Sequence, residues 1–343
     1  MLTTDPSPHQ DEQAGTCAEL VAGLRSTPPH LPYGLLWDEH NTALYDRIRE
    51  QPEYYLNRLE MQLLRSHAPD IIATTGARML LELGAGTGEK ALPLLAHMNS
   101  PARYTPVDIS NSAMSRLAAR LCATSPDTVV RPVVADFTRP WPPALRSTEP
   151  GPLLATFLGS TLGNLLPTER RTLLERLAAA LRPHDTLLLG VPLLHDPDTM
   201  VAAYRDAAGL MEAFYLHCLH ILNRDHGTDF DLGGFAHHVT WAARESRVEI
   251  GLRALSDQRV LVPGRPTSHR VDLACGSVVR AVVAARFTAR QLQGELSESG
   301  FETVHLLQEP SDRYALLLAR RREGCPRGPY AVVREETASR FQG

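Results

Sequence analysis

Leu80-Leu81-Glu82-Leu83-Gly84-Ala85-Gly86-Thr87-Gly88-Glu89-Lys90 decides the fold: an apolar strand breaks into glycines and re-forms as a helix at Ala91-Leu92-Pro93-Leu94-Leu95-Ala96. Glycine permits the tight turn and lets backbone N–H groups approach a ligand, while the helix that follows offers its N-terminus. A dinucleotide fingerprint requires G-x-G-x-x-G, whereas Gly84, Gly86 and Gly88 alternate, a spacing that suits S-adenosylmethionine better. Glu82 precedes the first glycine. Tyr104-Thr105-Pro106-Val107-Asp108 reads as a second strand whose terminal carboxylate, 26 residues after Glu82, is placed to accept both hydroxyls of a ribose. A third strand, Arg131 to Phe137, ends in Asp136 for an adenine amino group and Phe137 to flank the ring.

Working outward, strands at 79–83, 104–109, 131–136, 152–158 and 185–191 alternate with helical stretches, the signature of an α/β fold with a parallel sheet covered on both faces. Helical spacing from Thr42 to Ala73, broken at Gln51-Pro52, precedes the first strand. After Val191 the pattern changes to a helix from Asp198 to Leu222 and strands near 237–241, 247–253 and 260–262, an inserted α+β region. A helix at Ala289 to Glu298 and strands near 302–307 and 313–319 complete the sheet. The expected organisation is a disordered segment 1–30, a substrate-domain part 31–60, a Rossmann-type core 61–194, a substrate-binding insertion 195–285, completion of the core at 286–320 and a mobile tail 321–343.

The 343 residues carry a net charge of −4 with no long basic run, which leaves neither nucleic acid nor an anionic membrane as an indicated partner and points to a small-molecule substrate. Five scattered cysteines argue against a disulfide framework or a cysteine zinc site. The pairs His217/His220 and His237/His238 lack a third ligand at defined spacing, so no metal is expected. The polar N-terminus and the lack of a long apolar run lead to the expectation of a cytoplasmic protein.

Phe157-Leu158-Gly159-Ser160-Thr161-Leu162-Gly163-Asn164-Leu165 closely resembles the ergothioneine-pathway histidine Nα-methyltransferases. Pro52-Glu53-Tyr54-Tyr55, Ala203-Tyr204-Arg205-Asp206-Ala207-Ala208-Gly209, Leu222-Asn223-Arg224-Asp225, Asp229-Phe230-Asp231 and Arg247-Val248-Glu249 follow in that family's order, over roughly residues 31–320. The resemblance implies a Rossmann-type class I methyltransferase with a family-specific substrate domain, which methylates the α-amino group of a free amino acid and releases S-adenosylhomocysteine. It implies cofactor contacts at Gly84, Gly86, Lys90, Asp108, Asp136 and Phe137, with Gly159 and Ser160 after the fourth strand. Tyr54, Asn164 and Tyr204 match residues that bind the amino acid, Tyr54 and Asn164 standing nearest the reacting amine.

Departures from the family bear on the acceptor. Where histidine enzymes carry a glutamate and a serine that grip the imidazole, this chain has Val282 and Ala284. Ile250 replaces a methionine, Met211 a small polar residue and Trp37 a tyrosine. Together they favour a non-histidine amino acid with an aromatic side chain such as tryptophan, in specialised metabolism. The alternatives are histidine itself, a side-chain nitrogen of a basic amino acid such as arginine if Glu212 faces the pocket, and a non-catalytic S-adenosylmethionine-binding protein. A nicotinamide-dependent oxidoreductase is disfavoured by the glycine spacing and by Asn164.

Overall fold

The computed structural model describes residues 8–125, 127–139, 151–264 and 267–322. Strand β1 (Met79–Leu83) is buried along its whole length, as are β5 (Leu153–Phe157) and β6 (Thr186–Pro192). Such continuous apolar runs suit central parallel strands with helices on both faces. β1 pairs in parallel with β5 on one side and with β2 (Arg103–Asp108) on the other, so strand order reverses at β1. Short strands β3 (Val129–Val130) and β4 (Val133–Val134) extend the sheet beyond β2, and β6 extends it beyond β5. At the far edge lie β12 (Phe301–Gln308) and β13 (Tyr314–Arg321), with β13 antiparallel to both of its neighbours, completing the Rossmann-type sheet.

Alternation along the strands feeds two cores. Leu80, Leu154, Leu188 and Leu316 face one way, while Leu81, Leu153, Leu187 and Leu317 face the other, under helices α6 (Pro167–Ala180) and α9 (Ala289–Glu298). The first core is continuous with a second layer made of α2 (Glu39–Ile48), α3 (Tyr55–Thr75), α8 (Leu210–His226) and a three-stranded antiparallel sheet. That sheet orders β11 (Val278–Ala285), β8 (Arg247–Ala254) and β7 (Phe235–Ala242). A hairpin, β9 (Gln258–Val262) with β10 (His269–Leu273), stands beside it.

Several expectations differ from the structure. Helix α1 (Pro8–Arg25) forms where disorder is expected, because Leu20, Val21 and Leu24 recur at helical spacing and are buried; residues 1–7 lie outside the described residues. The extended segment after it is a parallel partner of β11, with the Leu31 N–H donating to the Arg280 carbonyl and the Arg280 N–H to that of Pro29, each at 2.8 Å. The expected helix from Asp198 to Leu222 is two, α7 (Pro197–Ala202) and α8, because Gly209 turns left-handed and the buried Asp206 carboxylate accepts the Leu210 and Met211 N–H groups to start the second. The domain boundary at residue 60 falls inside α3, and of the supposed mobile tail Arg321 ends β13 while residues 323–343 lie outside the described residues.

Two helices complete the ligand-facing end, α4 (Ala91–Leu95) after the glycine turn and α5 (Asn111–Thr124), whose N-cap Ser110 accepts the Ala113 N–H. Gly88 has φ +67°, and a Cβ there would lie 2.5 Å from Leu117 of α5, so the third glycine serves helix packing. Glu82, expected at the cofactor, is instead buried beneath the turn, where its carboxylate accepts the Tyr104 hydroxyl. Among the described residues no helix is long and apolar enough to cross a membrane.

Burial pushes the Glu82 carboxyl up to about 7 from an ordinary 4.5, against the hydrogen bond from Tyr104 and the charge of Lys90. The folded state therefore holds this proton between those pH values while the unfolded chain releases it. The contribution is full below pH 4.5 and is lost as pH rises to about 7. The stability of the wild type relative to Glu82→Gln, read from urea unfolding, is expected to fall by roughly 2 kcal/mol between pH 5 and pH 8. A pH-independent difference would refute the shift.

Candidate active site

A cavity of ≈ 1400 Å³ opens at the carboxyl ends of β1, β2 and β5, where the strand order reverses. It exceeds the roughly 300–1,000 Å³ of a pocket for one small molecule, leaving room for two ligands side by side. On the sheet side it is lined by Gly84, Gly86, Lys90, Asp108, Asp136, Phe137, Gly159 and Ser160. On the other side stand Trp37, Tyr54, Asn164, Tyr204, Met211 and Val282. Residues predicted from distant parts of the chain thus meet in one space.

The glycine turn is held open by Asp108, whose carboxylate accepts the N–H of Gly86 at 2.9 Å and that of Ser110 at 3.0 Å. Each oxygen keeps a lone pair for a hydroxyl from the cavity. Phe137 packs edge-on against Phe157 and reaches Gly84, so its ring forms an apolar wall beside the turn. Asp136 closes its own turn by accepting the Thr138 N–H at 2.8 Å and still borders the cavity.

Behind the turn lies a residue that sequence reading missed. Glu60 on α3 is 1% exposed, yet its carboxylate accepts the Gly159 N–H at 2.8 Å, the Tyr314 hydroxyl at 2.7 Å and the Lys90 ammonium at 2.8 Å. Burial works against the Lys90 charge, and the Glu60 carboxylate outweighs it, holding the ammonium above its ordinary range. Gly190 of β6 makes the space: a Cβ there would lie 1.9 Å from a Glu60 oxygen. A Cβ at Gly159 would meet the Lys90 ammonium at 2.7 Å. Ser160 adopts φ +62°, a left-handed conformation costly for serine, and its hydroxyl donates to Tyr314 at 3.3 Å. A charged residue on the apolar face of a helix (Leu56, Leu59, Leu63, Leu64) and a lone glycine within the strand Leu187-Leu188-Leu189-Gly190-Val191 were the available signals.

The far wall is aromatic. Trp37 meets Tyr45 and Phe214 edge-on at 5.4 and 5.3 Å between centroids, Tyr45 meets Tyr54, and Tyr54 meets Tyr204. Burial, then the neighbouring Tyr45, drives the Tyr54 phenol well above its ordinary range, so it stays protonated. Asn164 donates its amide to the Tyr33 hydroxyl at 3.4 Å. Tyr33, Tyr45, Phe214 and Tyr215 escaped sequence reading because no local spacing ties them to the site.

Two expected substrate residues do not reach the cavity. Ile250 is fully buried in β8, between Val239 and Val282 on neighbouring strands. Ala284 is buried in β11 opposite Val248, two residues beyond the one side chain of that pair, Val282, that enters. Glu212 faces solvent on the first turn of α8, which removes the support for a basic acceptor. His217 pairs with Asp38 at 3.0 Å, and among the described residues no group of three or more His, Cys, Asp or Glu side chains gathers as a metal site. Glu249 is engaged by Arg247 within β8.

A glycine turn at the reversal of a parallel sheet, with carboxylates at successive strand ends and an aromatic chamber opposite, defines a class I S-adenosylmethionine-dependent methyltransferase. The family model described as "Histidine-specific methyltransferase, SAM-dependent" matches residues 16–321, and the chain belongs to that family. It is 37% identical over 304 residues to the histidine N-alpha-methyltransferase of Mycolicibacterium smegmatis, covering 88% of this chain and 93% of that one. The histidine N-alpha-methyltransferase of Mycobacterium tuberculosis is 33% identical over 317 residues, covering 91% and 97%. The N-methyltransferase fsqC of Aspergillus fumigatus is 26% identical over 319 residues, covering 89% and 85%. The protein is thus an S-adenosylmethionine-dependent N-methyltransferase.

Two substitutions separate shape from charge at Glu60. Gly190→Ala is expected to cost several kcal/mol in urea unfolding, because the carboxylate has nowhere to retreat. Glu60→Gln keeps the shape but strips Lys90 of its counter-charge, with an expected loss of about 3 kcal/mol and a weaker calorimetric affinity for S-adenosylhomocysteine. Unchanged stability in both variants would remove Glu60 from its central place.

Proposed function

We propose that the enzyme methylates the α-amino nitrogen of a free amino acid whose side chain is apolar and aromatic, with tryptophan first, rather than histidine. The observation that carries this reading is Val282, which lines the same cavity as Met211, Trp37 and Phe214 and stands where the resemblance implies a glutamate. Valine and methionine offer an imidazole no strong partner. A buried ring nitrogen left unpaired costs on the order of 1–3 kcal/mol, a roughly ten- to hundredfold preference against histidine.

S-adenosylmethionine supplies a methyl group on a sulfonium, which passes in line to a neutral amine as the carbon–sulfur bond breaks. The chain's own residues bind and orient. Asn164 uses its carbonyl oxygen toward the amine while its NH₂ rests on Tyr33. Tyr54 stays protonated and does not act as the base; its oxygen accepts an N–H of the amine, which leaves the nitrogen lone pair free for the methyl group. Each methylation then requires the amine's proton to leave through water. The faces of Trp37 and Tyr54 favour the methylated cation over a hydrated one. Exclusion of bulk water by the aromatic wall strengthens alignment of donor and acceptor.

Histidine keeps a claim because relatives at 37% and 33% identity are named for it. Incubation with S-adenosylmethionine and a panel of free amino acids, read by mass spectrometry, is expected to show an aromatic acceptor at least tenfold ahead of histidine in kcat/KM. Val282→Glu is expected to shift that ratio toward histidine. Preferred turnover of histidine by the unmodified enzyme would overturn the proposal.

A further inference from the structure

Arg286 follows the last residue of β11, is 1% exposed, and stands behind Tyr204 on the side away from the cavity. One guanidinium nitrogen donates to the carbonyls of Ala284 and Ala285 at 3.0 and 3.2 Å, and the other donates to the Tyr204 hydroxyl at 3.3 Å. The guanidinium carbon lies 5.6 Å from the centre of the Tyr204 ring. Among the described residues no carboxylate forms an ion pair with it, and its Nε has no hydrogen-bond partner. By contrast, Lys90 is neutralised by Glu60 and the buried Arg170 by Glu295. An arginine remains protonated at any accessible pH, and a buried charge without a partner is costly.

The hydrogen-bond direction settles where that charge is felt. Because Arg286 donates to the Tyr204 oxygen, the phenolic hydrogen is left to point at another acceptor, and Tyr204 itself lines the cavity. A donor that is already accepting from a cation is a stronger donor.

We propose that Arg286 is a positioning residue that supplies the counter-charge for the acceptor's carboxylate, acting through Tyr204. This rests on the reading of the acceptor as a free amino acid. The carboxylate takes the Tyr204 hydrogen, the guanidinium behind it gains a compensating charge, and the amine at the other end of the zwitterion is turned toward Tyr54 and Asn164. The enzyme thereby refuses amines that share the side chain but lack the carboxylate.

The test compares binding of tryptophan with tryptamine, and of histidine with histamine, by calorimetry in the presence of S-adenosylhomocysteine. The wild type is expected to favour the amino acid in each pair by at least tenfold. Arg286→Gln is expected to lose most of that discrimination while still binding S-adenosylhomocysteine, and Arg286→Lys to keep it within about threefold. Tyr204→Phe is expected to lose it too, and the double variant to lose no more than either alone. A purely structural role would weaken acid and amine alike and leave their ratio unchanged, which overturns the proposal. Should Arg286→Gln not fold, undiminished discrimination in Tyr204→Phe overturns it equally. If the wild type binds neither amino acid, the reading of the acceptor fails and this inference with it; if it binds amino acid and amine equally, only the role of Arg286 fails.

Discussion

The Glu60 carboxylate is the constraint on which the rest of the molecule depends. It gathers donors from three other parts of the chain, the Lys90 side chain after the glycine turn, the Gly159 backbone after β5 and the Tyr314 hydroxyl at the start of β13. A carboxylate taken out of water demands this many partners, and meeting the demand fixes the distance between the two turns that flank the ligand cavity. Gly190 exists to let the carboxylate in, and the strained Ser160 is tied to the same Tyr314 hydroxyl. Stability and site geometry are therefore one interaction seen from two sides. A perturbation of the hub moves the walls of the cavity before it unfolds the sheet.

Much of this was legible in the sequence, and the reason is locality. The glycine turn, Asp108 and Asp136 sit at strand ends, so the period of the strands places them at one edge of a parallel sheet without knowledge of any contact. The bounds of helix α9 are legible because Thr288 caps it and the apolar spacing is regular. The misses share a different property. Glu82 looked like a ligand because it precedes the turn, but β1 is buried on both faces and its side chain had only the interior to enter. Helix α1 was hidden by a polar first half whose apolar stripe begins only at Leu20. Glu60 and Arg286 are charges that depend on partners far along the chain, Gly159 and Tyr314 for the one and Tyr204 for the other, a relation that no window along the chain displays.

The two halves of the cavity are built on different chemistry. On the sheet side the contacts come from backbone turns and carboxylates, which recognise hydroxyls and amines of fixed geometry and tolerate little change. On the far side the surface is made by the rings of Trp37, Tyr45, Tyr54, Tyr204 and Phe214, which contact one another edge to face. Such rings give area without demanding a particular hydrogen bond, and their faces attract cations.

The acceptor side of the cavity draws on the β8–β11 strand pairing as well as on the rings. Val282 lines the cavity from β11, and Ile250 lies directly across the strand pairing from it, fully buried and outside the cavity lining. Ala284, on the same strand, is screened from the cavity and fills the packing against Val248 instead. On the reading proposed above, a change at Val282 would alter which side chain is admitted and leave the alignment of amine and methyl donor to Tyr54, Asn164 and the sheet edge. On that reading, the choice between an imidazole and an apolar ring turns on Val282, while the Glu60 interaction that shapes the rest of the site stays intact.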